Sequence, residues 1–528
     1  MPELDSAQSA ALIAELQAQF IRQGLICEKL ETHISYVLLV GDNAYKFKKP
    51  LNLGFLDFST LALRHDYCAR EVALNRRYTP TLYRGVLALV RGPQGLSFDT
   101  PGDPLNYAVW MQRFPDGERL DQLLDRGAVD TSTFAVLGHA IGEMHLHAPQ
   151  APTDRDYGSA DLARTQMVAG IDALRDVAPV ASQVLDRYRN AIAASSGLLV
   201  ARQRDGFIRD CHGDLHLSNI VRLKDRLAPF DCLEFNDELR FIDTMSDFAF
   251  LKMDLELRKA TEYSNTLLNA YLTACGDYGG LALLRVYCAY RSIVRAMVAN
   301  LASRSLSKPA RADALARSAR HLQLTEDYLK PPPTPTLLIT HGVSASGKSW
   351  RSRRIVAHYG YIHLRSDIKR RRLVGLIESA PSHSPLNAGM YDARQTEFTY
   401  LRLSMLAAVV LRAGYSVIVD ATFLTARQRA AFRQLAHERN IPFGILACAA
   451  PEPVLRARIE ARRAAATDPS EATQEVLARQ LATCEPLNAL EQAAVFDERQ
   501  SSLETETHGG QDGDSGTALS SQRFERRD

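Results

Sequence analysis

The stretch HGDLHLSNI, residues 212–220, decides how the first half of this chain is read. Asp214 follows His212 by two places and Asn219 follows Asp214 by five, with Leu215, Leu217 and Ile220 interleaved. Shortly after it, LAPFD (227–231) carries an apolar run to a second aspartate, Asp231. A loop bearing Asp and Asn, then two short strand-like runs ending on another Asp, folds as a hairpin that gathers three oxygen-bearing side chains. Such a set suits phosphoryl transfer to a hydroxyl. One carboxylate orients or accepts the hydroxyl proton, while the amide oxygen and the second carboxylate offer ligands to a divalent cation.

Working outward, the loop resembles that of the protein-kinase-like phosphotransferases, and that resemblance implies a lysine on the third strand and a glutamate on the following helix to pair with it. In ICEKLETHISYVLLVGDNAYKFKKP (26–50), Gly41-Asp42-Asn43 reads as a turn between strands Tyr36–Val40 and Ala44–Lys48. Lys46 and Lys48 share one face of the second strand, because side chains alternate along it. Lys46 is favoured as the phosphate lysine, since Lys48 opens a basic run leading to Pro50. Its partner is Glu71, set among apolar neighbours at helical spacing in HDYCAREVALNRRY (65–78). The segment ETHIS (31–35), which would cover the phosphates, has no glycine, so the backbone cradle of protein kinases is either absent or replaced by the Thr32 and Ser35 hydroxyls. NYAVWMQRFPDGERL (106–120) ends a strand near Phe114 and reads as a hinge between two lobes.

These phrases resemble the catalytic region of aminoglycoside phosphotransferase-like and choline-kinase-like enzymes, relatives of the protein kinases, over about residues 26–300. The resemblance implies that Asp214 is the catalytic base, that Asn219 and Asp231 are Mg²⁺ ligands, and that His212 supports the loop. His145 and His147, in GEMHLHAP, read as helix-end packing and capping groups rather than metal ligands.

A second phrase, GVSASGKS (342–349), fits the phosphate-binding pattern GxxxxGK[ST] in full. Gly342, Ser344 and Gly347 belong to the loop whose backbone amides face phosphates, Lys348 reaches the β- and γ-phosphates, and the Ser349 hydroxyl binds Mg²⁺. The apolar strand Leu337–Ile339 precedes it and a helix starts near Lys348, adding its positive end to the anion site. Next, YIHLRSDIKRRRLVGL (361–376) ends a strand at Arg365-Ser366-Asp367, and AGYSVIVDATFL (413–424) ends another at Asp420, where a carboxylate can act on Mg²⁺ through water. Arg458 and Arg462, one helical turn apart before a DPS turn at 468–470, read as a lid that closes charge onto phosphates or as a solvated basic face. The run KRRR (369–372) would either meet a polyanion or lie in solvent.

This second half is similar to the small P-loop kinases, the group of polynucleotide 5′-kinases, zeta-toxin-like and gluconate-kinase-like enzymes, over about 337–495. The likeness implies that Asp367 is the acceptor-side base and that Arg365 helps hold substrate. Capping of the helix that follows is the other use of Asp367.

Composition fixes the setting. A chain of 528 residues exceeds one hydrophobic core. With 63 basic and 61 acidic side chains the net charge is +2, which argues against a dedicated nucleic-acid or membrane-surface protein. The N-terminus reads as an amphipathic helix over Leu12, Ile13, Leu16 and Phe20 rather than a secretory signal, and no run is long enough to span a bilayer. The eight cysteines are scattered without metal-like spacing, as expected of thiols in a reducing cytoplasm.

The chain therefore reads as two domains of α+β and α/β class. Residues 1–330 form a two-lobed, protein-kinase-like domain with a small lobe at about 26–114 and a helical lobe at about 118–328. KPPPTPT makes 331–336 a proline-rich linker. Residues 337–496 form a P-loop domain, a parallel sheet flanked by helices, and 497–528 a disordered tail. Taken together the likeness is to a bacterial two-domain kinase family. It implies ATP and Mg²⁺ as cofactors and a small hydroxylated molecule as acceptor. A polynucleotide 5′-kinase-like or nucleotide-sugar kinase activity of the second domain, and a regulatory, ATP-binding role for a degenerate first domain, are the alternatives.

Overall fold

In the computed structural model, residues 4–497 are described apart from 55, 99, 225, 305, 374–392 and 466–472. The tail from 498 onward and the DPS turn at 468–470 lie outside the described residues.

The alternation of apolar and polar residues around the Gly41-Asp42 turn builds the first sheet. Helix α1 (Ser6–Arg22) precedes β1 (Cys27–Glu31), β2 (Ser35–Val40) and β3 (Asn43–Lys48); α2 (Leu61–Asn75), β4 (Tyr83–Gly92), β5 (Gly95–Ser97) and β6 (Asn106–Gln112) follow. The six strands stand in the order β1-β2-β3-β6-β4-β5, each paired antiparallel to its neighbour. Each face of the sheet has its own core. On one, Leu12, Ile13 and Leu16 of α1 cover Leu38, Phe47 and Leu89. On the other, Cys68 and Val72 of α2 meet Ala44, Tyr83 and Val109. Strand parity then sorts β3: Phe47 points to α1, whereas Ala44, Lys46 and Lys48 share the α2 face. Both lysines are thereby aimed at the helix that carries Glu71.

The chain next turns helical: α3 (Leu120–Asp125), α4 (Thr131–His147), α5 (Ala160–Arg175) and α6 (Ser182–Arg204) lead to β7 (Ile208–Asp210). After the 212–219 loop come the hairpin β8 (Ile220–Leu223) and β9 (Arg226–Pro229), then β10 (Phe241–Asp243), which pairs antiparallel with β7. Helices α7 (Thr244–Leu257), α8 (Thr261–Cys275), α9 (Leu281–Ser303) and α10 (Lys308–Leu329) complete this lobe. Helix α4 lies against α8 at glycine contacts: a Cβ at Gly138 would stand 2.4 Å from Leu267 O, and one at Gly142 2.6 Å from Ala274 Cβ. Helix α7 is buried on nearly every side, from Thr244 to Met253, and forms the floor beneath the 212–219 loop.

Beyond the prolines, β11 (Leu337–His341), α11 (Lys348–Tyr359), β12 (Ile362–Arg365), α12 (Ser366–Leu373), α13 (Ala393–Arg412), β13 (Val417–Asp420), α14 (Ala426–Glu438), β14 (Phe443–Ala447), α15 (Glu452–Ala465), α16 (Gln474–Thr483) and α17 (Ala489–Gln492) alternate strand with helix. The strand order is β12-β13-β11-β14, and β11 pairs with β14 in parallel. Both-face cover makes the strands apolar throughout, as in Leu337, Leu338, Ile339 and Val417, Ile418, Val419, all fully buried. By packing, the described residues of Met1–Pro335 with Arg353–His363 and Met405–Val417 form one compact unit; those of Thr336–Ser352, Leu364–Ser404 and the chain from Ile418 form the other. No helix among the described residues is long and apolar enough to cross a membrane.

Candidate active sites

In the first unit the expected side chains converge. Lys46 Nζ donates to Glu71 Oε1 at 2.9 Å and to Asp231 Oδ1 at 2.5 Å. Glu71 is fully buried on α2; burial opposes its charge, yet Lys46 and Lys48 hold its carboxyl down to about 2. Asp231 stands in the left-handed region at φ +60, an uncommon backbone for a non-glycine residue, and its carboxylate is 41% exposed. Its neighbours fix that posture: Asp231 N donates to Tyr83 Oη at 3.0 Å, and Cys232 N to Asn75 Oδ1 at 2.8 Å.

The 212–219 loop is tied from within and from below. The carbonyl of Phe230 can only accept, so His212 Nε2 donates to it at 3.0 Å, and His212 Nδ1 accepts from Asp214 N at 3.3 Å. Burial lowers the imidazole pKa against the pull of Asp247 and Asp214, and both ring nitrogens are spent on the loop's own backbone, a supporting role. Asn219 Nδ2 donates to Asp214 Oδ2 at 2.9 Å and to Asp214 O at 3.0 Å, leaving its acceptor atom Oδ1 to serve a cation. The desolvation of the Asp214 carboxyl would raise its pKa, but His216, whose Nε2 is 3.4 Å away, with Arg295 and His212, holds it well below the usual carboxylate range. Asp214 is thus ionised and aimed.

Two residues of this site escaped the sequence reading. Asp247 Oδ2 and Oδ1 accept from His212 N at 3.0 Å and Gly213 N at 2.9 Å, and Asp254 Oδ2 accepts from Leu217 N at 3.1 Å. They lie two helical turns apart on α7, so one face of that helix holds the loop at both ends. His145 Nε2 is 3.2 Å from Asp247 Oδ2 and its Nδ1 3.1 Å from Tyr271 Oη, so this buried histidine orients Asp247. His147, at the exposed end of α4, closes on Glu143 O at 2.8 Å.

The ETHIS segment differs from expectation. Ser35 is fully buried, its Oγ without a hydrogen-bond partner, and the Thr32 hydroxyl is spent within its own turn, accepting from Ser35 N at 3.0 Å. Burial of Ser35 in β2 and the turn that engages the exposed Thr32 leave neither hydroxyl as a replacement for a glycine cradle.

In the second unit β11 delivers the chain into the 342–349 loop. Gly342 (φ +140) is required there, because a Cβ would come within 2.2 Å of Cys448 O. Ala345 (φ +63) and Gly347 (φ +98) continue the left-handed turns that point amides inward. The outer wall of the loop, Val343 and Ala345, packs on Leu455 and Ile459 of α15 and Leu477 of α16. Lys348, 9% exposed, donates from Nζ to Val343 O at 2.7 Å. Burial pushes the Lys348 pKa down, opposed by Asp420 and Asp367 and reinforced by Arg462. A buried ammonium resting on a neutral carbonyl has room for an anion, which fits a phosphate. Asp420 closes β13 at 5% exposure, and Ser349 follows Lys348 in the first turn of α11.

Arg365 Nη2 donates to Asp367 Oδ2 at 2.6 Å, and Ile368 N donates to Asp367 Oδ1 at 2.8 Å. Asp367 therefore binds its own helix start and the arginine beside it at once. Arg458 Nη1 reaches Ala345 O at 3.1 Å, fixing α15 to the loop. The basic run is not an exposed strip: Lys369 and Arg371 are buried, at 7% and 3% exposure.

A third residue was not anticipated. Gln480 of α16 accepts from Ser344 N through Oε1 at 2.7 Å, holding one loop amide as a phosphate oxygen would. Gln480→Ala should cost the nucleotide-free chain about 1 kcal/mol for the lost bond. That loss should vanish at saturating Mg·ATP. Thermal unfolding with and without nucleotide checks it; an equal loss in both would mean that the Ser344 amide never changes partner.

The AAA domain family profile AAA_33 matches residues 337–487. Uncharacterized proteins of Mycobacterium tuberculosis (Rv2004c in strain H37Rv) and Mycobacterium bovis (Mb2027c) are 31% identical over 456 residues, spanning 85% of this chain and 88% of theirs. The chain belongs to their family. The similarity runs over 85% of this chain, so it is not confined to the profile match at 337–487. Among solved structures, a choline/ethanolamine kinase family protein from Mesorhizobium loti is similar at 15% identity and TM-score 0.35, covering 60% of this chain and 99% of that one. The GDP complex of aminoglycoside 2′-phosphotransferase-IIIa gives 13% identity, TM-score 0.36, and 60% and 98% coverage. A sugar kinase from Janibacter sp. HTCC2649 gives 19% identity, TM-score 0.25, and 33% and 94% coverage.

Proposed function

We propose that this protein is an ATP-dependent phosphotransferase with two nucleotide sites, which moves the γ-phosphoryl group onto a hydroxyl of a small molecule such as a sugar, a polyol or a nucleoside-like compound. The observation that carries the proposal is that Lys46 of β3 joins Glu71 and Asp231, while the bonded pair Asp214–Asn219 stands in a loop tied to Phe230, the residue before Asp231. Mg²⁺, when bound, would neutralise charge on the phosphates. Asn219 and Asp231 would hold it in the first unit, Ser349 and Asp420 in the second. Lys46 and Lys348 supply the cations for phosphate oxygens. Asp214 orients the acceptor hydroxyl; its depressed pKa makes it a weak base, suited to taking the proton late, when phosphoryl transfer has already made that proton acidic. In the second unit Asp367 has the same task, with Arg365 as its guide.

Burial of Lys369 and Arg371 removes the exposed basic strip that a polynucleotide acceptor would use, which favours a small acceptor there too. A purely regulatory first unit would be expected to lack one of Lys46, Asp214, Asn219 or Asp231, and all four are present. Eight free cysteines, none in a disulfide, suit a reducing cytoplasm. The test is to incubate the full chain with labelled ATP and a metabolite extract and identify the labelled products. Products lost with Asp214→Asn belong to the first site and those lost with Lys348→Ala to the second. Release of inorganic phosphate alone, in every fraction, would refute transfer.

A further inference from the structure

The first site holds a second lysine and a third carboxylate that the reading above leaves without work. Lys48 is fully buried and donates to Glu71 Oε2 at 2.7 Å and to Glu234 Oε1; the Glu234 side chain is 4% exposed. With Lys46 this makes one unbroken ladder, Asp231 to Lys46 to Glu71 to Lys48 to Glu234. Its two ends differ. At the Asp231 end the carboxylate is 41% exposed and the lysine 12%; at the Glu234 end both are closed off from solvent.

Transfer requires the open end to come apart. Lys46 must leave Asp231 for phosphate oxygens, and Asp231 must turn to a cation. At that moment Glu71 is a buried carboxylate losing part of its compensation, and the segment from Asp231 to Glu234 loses its link to β3. The backbone bonds of Asp231 N to Tyr83 and Cys232 N to Asn75 remain, but of the side-chain ion pairs that tie this segment and Glu71 to β3 the closed end is the one that stays intact. The Lys48 ammonium also stands 4.9 Å from the Phe58 ring, a further lock on its position. A buried pair of this kind adds little net stability over an apolar pair, so its presence calls for another reason.

We propose that Lys48 and Glu234 are positioning residues of the first site, a fixed buried pair that keeps Glu71 and the Asp231 segment aligned with β3 while Lys46 and Asp231 exchange each other for nucleotide and cation. The inference rests on the reading of this site as a Mg·ATP site.

The experiment uses the full chain carrying Lys348→Ala, so that nucleotide binding reports the first site. ATP affinity is measured by calorimetry across a Mg²⁺ titration, with thermal unfolding and amide hydrogen exchange of segment 230–235 recorded without nucleotide. Glu234→Gln and Lys48→Met should each raise the half-saturating Mg²⁺ concentration by about tenfold or more, the usual cost of losing a partner behind a metal ligand. Exchange in 230–235 should quicken. Lys48→Arg should restore most of the Mg²⁺ response, and the double variant should be no worse than the poorer single one. Should Lys48→Met fail to fold, Glu234→Gln and Lys48→Arg carry the test. Folded variants with unchanged Mg²⁺ dependence overturn the proposal, as does a loss of affinity that is equal with and without Mg²⁺. If the Lys348→Ala chain itself binds no Mg·ATP, the Mg·ATP reading falls, and this inference with it, on the parent alone.

Discussion

Asp214→Asn should lower turnover by the first unit by about a hundred- to ten-thousandfold, the range that a positioned proton acceptor contributes, while ATP affinity hardly moves. The substitution keeps the shape and removes the charge. It also presents an amide to Asn219 Nδ2, which now donates to Asp214 Oδ2 at 2.9 Å, so the acceptor hydroxyl loses both its proton acceptor and a well-ordered neighbour. The effect must therefore appear in kcat rather than in binding of nucleotide, whose partners Lys46 and Asp231 are untouched. The same geometry gives a pH expectation. Because His216, Arg295 and His212 keep the Asp214 carboxyl below its ordinary range, the base stays ionised as pH falls, and turnover should show no acid limb from this group between about pH 8 and pH 5. Unchanged turnover in Asp214→Asn, measured with the first-site acceptor, would falsify the assignment.

What could be seen in the sequence, and what could not, follows the range of each interaction. Asp214 and Asn219 share one loop, and Asp231 ends the hairpin beside it, so their spacing alone brought them together. Lys46 was legible through strand parity and Glu71 through helical spacing. The loop at 342–349 was legible because its glycines answer a local backbone demand, visible in the φ values of Gly342 and Gly347. Lys48 was not legible. Standing before Lys49 and Pro50 it reads as the start of a basic run, and its burial is made tolerable by Glu71, which the sequence reading gave to Lys46, together with Glu234, far along the chain. Asp247 and Gln480 were missed for the same reason: each bonds a backbone amide distant in sequence, and backbone amides leave no mark on the pattern of residues. The KRRR run misled in the opposite direction, since adjacent charges read as surface while Lys369 and Arg371 are buried in the fold.

Lys348→Ala is expected to abolish half of the chain's nucleotide binding. At nucleotide concentrations near the parent's Kd, the parent should bind two Mg·ATP per chain in calorimetry and the variant one, because Lys348 is the one lysine of the sequence GVSASGKS. Its affinity should weaken by about 2 kcal/mol or more, the cost of a charge-assisted contact, or roughly thirtyfold in Kd. Nothing in the nucleotide-free fold should compensate. The Nζ of Lys348 rests on the neutral carbonyl of Val343, a bond that a phosphate oxygen can replace, and burial holds its pKa down against the pull of Asp420 and Asp367. Removing the ammonium also removes a buried charge, so the variant should melt no lower than the parent without nucleotide and gain less from Mg·ATP. A variant that still binds two nucleotides with parental affinity would mean that the amides of 342–349, with Arg458 and Arg462, hold phosphate unaided. A parent that binds only one, and loses it with Lys348→Ala, would leave the second unit as the sole nucleotide site and remove ATP from the chemistry of the first.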